Sequence, residues 1–174
     1  MTEEFPWQHA FPPFFTLQPH EQTRVKQLEA WRSMILDYCQ SHQITQFDVQ
    51  EIGQSALFHN KTIQRRLSPE DLLVVLEDLR SHGHLEWDGP AKSRRKAHIY
   101  WRRPEEWGSL IYNWAQAHGM TNTVCTLFEI TQGDDAQDQA FQGLDQDLLI
   151  KALKCLELES KAELFPDQEG VKFF

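Results

Sequence analysis

Apolar residues recur at three- and four-residue steps from Val25 through Leu28, Trp31, Ile35 and Tyr38, which predicts one buried stripe along a helix. The pattern returns 76 positions later: Trp31 answers Trp107, Met34 answers Leu110, Ile35 answers Ile111 and Tyr38 answers Trp114. Downstream, Leu67, Ser68 and Glu70 with Leu72, Leu76 and Leu79 are echoed at an offset of 77 by Leu144, Asp145 and Asp147 with Leu149, Leu153 and Leu156. One module is written twice. Two copies are too few for a solenoid, so the repeat predicts two small globular domains in tandem.

Within the first copy, residues 44–52 are rich in β-branched side chains and predict a short strand, and residues 60–67 predict a short helix exposing Lys61, Arg65 and Arg66. Ser68-Pro69-Glu70-Asp71 is a helix start: a capping hydroxyl, a proline suited to the first turn, and carboxylates at the positive end of the helix dipole. This helix should stop at Gly83. Beyond it Leu85 and Trp87, then Ala97, Ile99 and Trp101, alternate with polar neighbours as two strands do. In the second copy Trp107, Leu110, Ile111 and Trp114 form the stripe, residues 124–130 read as a strand, and Asp145 caps a helix reaching about residue 160. Residues 162–165 and 171–174 read as a closing hairpin, so loss of the last two Phe should damage folding. The expected fold is α+β and helix-rich: a head (1–20) and two winged-helix domains (21–102 and 103–174), each of three helices and a β-hairpin. Pro104 and the two Glu after it start a helix directly at the junction, which argues against a loose linker.

A chain of 174 residues suits two compact domains of roughly 75 residues each. Cores that small need bulky side chains, and six Trp and eleven Phe supply them. The longest apolar run, residues 72–76, is far shorter than the roughly 20 residues of a membrane span, and the first residues are acidic where a signal peptide is basic. A cytoplasmic protein is expected. Cys39, Cys125 and Cys155 show no paired spacing and read as reduced thiols. Of eight His only His82 and His84 are close, with no further ligand at a metal spacing. With no phosphate loop, nucleophile elbow or metalloprotease motif, we expect no enzyme, metal or cofactor.

A winged helix suggests DNA, so charge decides the next step. Residues 1–102 carry a net charge of −1 and residues 103–174 a net charge of −8, together the −9 of the chain. The helix that would enter a major groove holds Glu70, Asp71, Glu77 and Asp78 against Arg80, and its counterpart Asp145, Asp147, Glu157 and Glu159 against Lys151 and Lys154. Neither suits phosphate neutralisation or base reading. The contrary feature is the basic stretch from Lys92 to Lys96, which is either a solvated hairpin tip or a contact for phosphate or anionic lipid. Acidic domains instead attract basic helices of other proteins.

The head alternates aromatics with proline: Phe5, Pro6 and Trp7, then Phe11, Pro12, Pro13, Phe14 and Phe15. Such a segment favours an extended conformation and cannot bury itself. It either folds back over the first domain or inserts into pockets of another protein.

The Pro12-Pro13-Phe14-Phe15 head with Thr16, Leu17, Gln18 and Pro19 after it, the junction from Trp101 to Gly108, and the closing Gly170-Val171-Lys172-Phe173-Phe174 resemble the small-subunit family of the ESCRT-II endosomal sorting complex. The likeness spans essentially the whole chain. It implies a non-enzymatic tandem winged-helix adaptor, two copies of which join one copy each of two larger subunits in a Y-shaped heterotetramer. The resemblance further implies that the head and first domain dock on the larger subunits. The second domain would recruit an ESCRT-III subunit through that partner's basic amino-terminal helix, for sorting of ubiquitinated cargo into multivesicular bodies. Carried onto this chain, Pro12, Pro13, Phe14 and Phe15 are the docking residues, with Pro6 and Trp7 as a second contact. The family motif ends in Tyr where Phe15 keeps the ring without the hydroxyl. On that reading Phe15→Ala weakens assembly and leaves the isolated chain folded. Asp134, Asp135 and Asp138 are either the acidic residues that meet the ESCRT-III helix or a solvated acidic loop. Membrane association would be indirect, through the complex at endosomes. A nucleic-acid binder using the basic wing is the rival.

Overall fold

The computed structural model describes residues 4–90 and 93–174. The chain divides into two units, Met1–Trp101 and Arg102–Phe174. The division falls one residue before the expected boundary, and the head belongs to the first unit.

In the first unit, helix α1 (Glu21–Ser41) is followed by strand β1 (Gln46–Asp48), helix α2 (Val49–Gly53), the two-residue strands β2 (His59–Asn60) and β3 (Arg65–Arg66), helix α3 (Pro69–Ser81), and strands β4 (Leu85–Asp88) and β5 (Lys96–Ile99). The main sheet is antiparallel in the order β1-β5-β4, with Phe47 and Trp87 both opposite Ala97. Helix, strand, two helices and a hairpin in that order form the winged-helix arrangement. Helix α3 begins as its sequence requires: the Ser68 side chain accepts from Asp71 N, and Pro69 fills the first helical position.

Three expectations need correcting. Residues 49–53 are helical, because Asp48 accepts from Gln50 N and Glu51 N and so starts a turn that β-branched composition had concealed. In place of a helix over residues 60–67, residues 59–66 form the β2–β3 hairpin, whose turn is set by Asn60 accepting from Thr62 N and by Gln64 at φ 54°. On α1 the buried positions are Gln27, Trp31, Met34, Ile35 and Cys39, while Val25 is 58% exposed. Burial pushes the Cys39 thiol up to about 12, consistent with an inert core group.

The second unit repeats the order: α4 (Pro104–Ala117), β6 (Val124–Thr126), α5 (Leu127–Gln132), a 3-10 turn (Asp134–Ala136), α6 (Gln146–Leu158), β7 (Ala162–Leu164) and β8 (Gly170–Phe173). Its sheet runs β6-β8-β7, the same topology as the first. Here too the expected strand over residues 124–130 turns helical halfway. Thr126 and Glu129 form a reciprocal capping box, a signal visible in the sequence as Thr-x-x-Glu. Asp145 caps α6 by accepting from Leu148 N, as expected, and α6 ends at Leu158. Leu110 stands at the edge of its stripe, 37% exposed. Phe173 is fully buried, whereas the side chain of Phe174 is exposed and its carbonyl accepts from the Tyr112 hydroxyl at 2.7 Å.

Candidate partner-binding surfaces

The head lies on its own unit as two 3-10 turns, Trp7–Ala10 and Pro12–Phe15. Phe14 and Phe15 are 6% and 2% exposed. Phe14 stacks on Trp31 with centroids 4.4 Å apart, and Phe15 meets the same indole edge-on at 5.5 Å. The Phe14 carbonyl accepts from Trp31 Nε1 at 3.1 Å and from Gln27 Nε2 at 3.0 Å, so the polar atoms of this contact are satisfied. His9 fastens the other turn. Its Nε2 lies 2.9 Å from the Ala56 carbonyl oxygen and 3.1 Å from that of Leu57, so this nitrogen carries the proton, and Nδ1 accepts from the Asn60 amide at 3.3 Å.

The six head residues expected to bind partners therefore divide. Phe14 and Phe15 are core residues of the first unit, where the alternative of a head folded back over the first domain puts them. Phe15→Ala is a core deletion here, so a loss of stability is expected beside any effect on assembly. Pro6, Trp7 and Pro13 are exposed and Pro12 half-buried. Trp7 is 71% and Phe11 49% exposed, and their rings lie 5.8 Å apart. Phe11 was missed as a site residue, although it stands in the same proline–aromatic run. Beside these two rings, Pro13, Phe14 and Ala30 line a largely apolar hollow of about 400 Å³. Large exposed aromatics held by ordered backbone are what a protein partner buries.

On the second unit Asp134, Asp135 and Asp138 are exposed, on and just after the 3-10 turn that follows α5. The turn is pinned from inside: Trp114 Nε1 donates to the Asp135 carbonyl at 2.9 Å, and Ala136 is fully buried. One helix back, Phe128 is 64% exposed at the rim of a groove of about 640 Å³ that Leu127, Leu144, Leu149 and Glu169 also line. An exposed ring and acidic side chains thus lie on consecutive elements, and nothing in the sequence pattern of a misread strand had marked Phe128 as outward.

The acidity of α3 is partly spent inside the first unit. Arg32 Nε donates to Asp78 at 2.9 Å. Partial burial works against ionisation of Glu77, but hydrogen bonds from Arg80 and Trp87 and the charge of Arg94 outweigh it and hold the carboxyl below the usual range. Among the described residues no group of three or more His, Cys, Asp or Glu could hold a metal ion, and no helix is long and apolar enough to cross a membrane.

Two winged-helix units with aromatic and acidic surfaces define a class of protein-binding scaffold. The sequence profile of the ESCRT-II complex subunit family matches residues 8–145, and the chain belongs to that family. It is 51% identical over 173 residues to vacuolar protein-sorting-associated protein 25 of Xenopus laevis, covering 98% of each chain. To the protein of that name from Homo sapiens it is 49% identical over 176 residues, covering 100% of this chain and 99% of the other. The fold matches a crystal structure of subunit VPS25 of the endosomal trafficking complex ESCRT-II, with TM-score 0.82 at 26% identity over 98% of this chain and 99% of that one. It also matches a chain of a crystal structure of endosomal complex ESCRT-II (VPS22/VPS25/VPS36), with TM-score 0.81 at 27% identity over 97% and 98%.

Proposed function

We propose that the chain is the small adaptor of ESCRT-II, joining two larger subunits to an ESCRT-III subunit at endosomal membranes during multivesicular body sorting. The exposed Trp7 and Phe11, fixed on their own unit by His9 and by the buried Phe14 and Phe15, carry this reading. A rigid aromatic pair loses little conformational entropy on binding, and burying one such ring is a common source of interface energy. In this reading the head, with Pro6, Pro12 and Pro13, docks on the larger subunits, as its relatives' presence in a complex with VPS22 and VPS36 supports. Phe128 with Asp134, Asp135 and Asp138 receives the basic amino-terminal helix of the ESCRT-III subunit, the ring meeting its apolar face and the carboxylates its cations.

Co-expression with the two larger subunits tests the first half. Trp7→Ala should lower co-purification at least about tenfold, the cost of roughly 1.4 kcal/mol or more expected at a buried aromatic anchor, with the unfolding midpoint unchanged. Wild-type recovery of the complex would remove the head from the interface.

A further inference from the structure

Seven of the chain's 17 Lys and Arg fall in residues 61–66 and 92–96, and neither segment contains an acidic residue. The fold brings Arg66 of the first segment and residues 93–95 of the second to one place. Arg66, at the end of β3, and Arg94 and Arg95, ahead of β5, rim a groove of about 440 Å³ between α2, the start of α3 and the hairpin, floored by Val49, Leu72 and Leu73. It occupies the position in the first unit that the Phe128 groove occupies in the second. The apolar floor is shared; the rims differ, with Gln168 and Glu169 in the second unit where the first has arginines.

The guanidiniums are available. Arg66 is exposed and makes no ion pair among the described residues. Arg94 stands 3.9 Å from Glu77 with its side chain 48% exposed, and Arg95 stands 3.3 Å from Asp48 with its side chain 72% exposed. The partner side chains of Glu77 and Asp48 are 28% and 15% exposed, but a guanidinium carries five N–H donors and so has others to offer an incoming carboxylate. Arginine also matches a carboxylate in bidentate geometry. Glu70 and Asp71, between the lining residues Pro69 and Leu72, bring negative charge to this end of α3, which counts against a continuous polyanion such as a phosphate backbone.

We propose that this groove is a second docking site, which takes a short acidic segment of another protein with an aliphatic side chain in the Val49–Leu72–Leu73 floor and carboxylates on Arg66 and Arg94. It is separate from the head surface and does not depend on the assembly reading.

The probe is a fluorescein-labelled hexapeptide of sequence Asp-Glu-Leu-Leu-Asp-Glu, with a control in which the four acids are replaced by their amides. Measured by fluorescence polarisation on the full chain, the acidic probe should bind, and the amide control should bind at least about tenfold more weakly. Arg66→Glu and Arg94→Gln should each weaken the acidic probe at least about fivefold, since both residues are exposed and the neutral change at Arg94 sets no like charge against Glu77. Trp7→Ala should bind the probe as the wild type does, which separates this site from the head. On the wild-type chain the amide resonances of Gly53, Leu73 and Ser93 should shift on titration, a readout that needs no variant to fold. Equal binding of the two peptides, no effect of either substitution, or shifts confined to other elements would overturn the proposal. So would Arg66-dependent binding to phosphatidylserine vesicles, or to a short DNA duplex, by a chain that ignores the acidic peptide.

Discussion

Arg32 and Gly108 occupy the same position of the repeat, one residue after the buried tryptophan on the first helix of each unit. In the first unit Arg32 reaches across to Asp78 on α3 and spans the gap with a charged hydrogen bond at 2.9 Å. In the second there is no side chain to span anything: a Cβ placed on Gly108 would lie 2.9 Å from the Ala152 carbonyl oxygen, so α4 and α6 meet backbone to backbone. The tryptophans beside them differ in the same sense. Trp31 is covered by Phe14, Phe15 and Phe58, whereas Trp107 carries the Arg102 guanidinium 4.5 Å from its ring centroid. The same topology is thus closed in two ways. The first unit uses a borrowed segment and polar struts, and the second uses close helix approach.

The sharpest break in this comparison is Phe15→Ala. Removing a 2%-exposed ring from the Trp31 cluster should cost about 3–5 kcal/mol, read as a lower urea midpoint for the first unit. Phe128→Ala, on a 64%-exposed ring, should move the second unit's midpoint by no more than about 0.5 kcal/mol. Equal effects would mean that the head is not part of the first core.

Next in size is the helix contact. Gly108→Ala should cost about 1–3 kcal/mol, because the obstacle is backbone and cannot swing away. Arg32→Ala should cost a similar or smaller amount, about 1–3 kcal/mol, by leaving the half-buried Asp78 short of its main partner. A neutral result at Gly108 would show that α4 and α6 can part without loss. Arg102→Ala follows, at about 0.5–2 kcal/mol for a cation over an indole face, and should appear in the second unit alone.

The difference between the units also explains what could be read from the chain. The duplication, the α3 and α6 starts at Ser68 and Asp145, and the closing hairpins were legible because their causes are local: a cap, a proline, an alternation. The short helices α2 and α5 were not read, since Val49, Ile52 and Ile130 argue for strand by composition while Asp48 and Thr126 argue for helix by capping, and the caps won. Of the two, the Thr126–Glu129 box was available to a closer reading. The burial of Phe14 and Phe15 had no such signal. It depends on Trp31 presenting a face and Gln27 presenting an amide, on a helix that begins six residues after Phe15, and no periodicity within the head encodes that. The candidate partner residues were legible by type, as aromatics and acids, but not by direction.

The gentlest expected effect is that of acid on the first unit. The second-unit counterpart of Glu77, at an offset of 77, is Lys154, and there α6 reaches the hairpin instead through Glu157, which accepts from the Leu164 backbone N–H at 2.8 Å; in the first unit Trp87 Nε1 donates to Glu77 at 2.8 Å, and Arg80 donates at 2.7 Å. Burial raises the Glu77 pKa and these partners lower it, with the lowering dominant, so the folded value lies below the model-peptide 4.5 of an unfolded chain. A depressed carboxyl adds stability that is complete above the unfolded value and is lost as pH falls through the folded one. Glu77→Gln removes that titration while keeping an acceptor for Trp87. The wild type should therefore be more stable than Glu77→Gln at neutral pH, by an amount that shrinks below about pH 4.5 as the carboxyl protonates. Urea midpoints of the first unit for the two chains across that range test it, and a gap that stays constant or widens toward acid would show that Glu77 is not holding the hairpin by its charge.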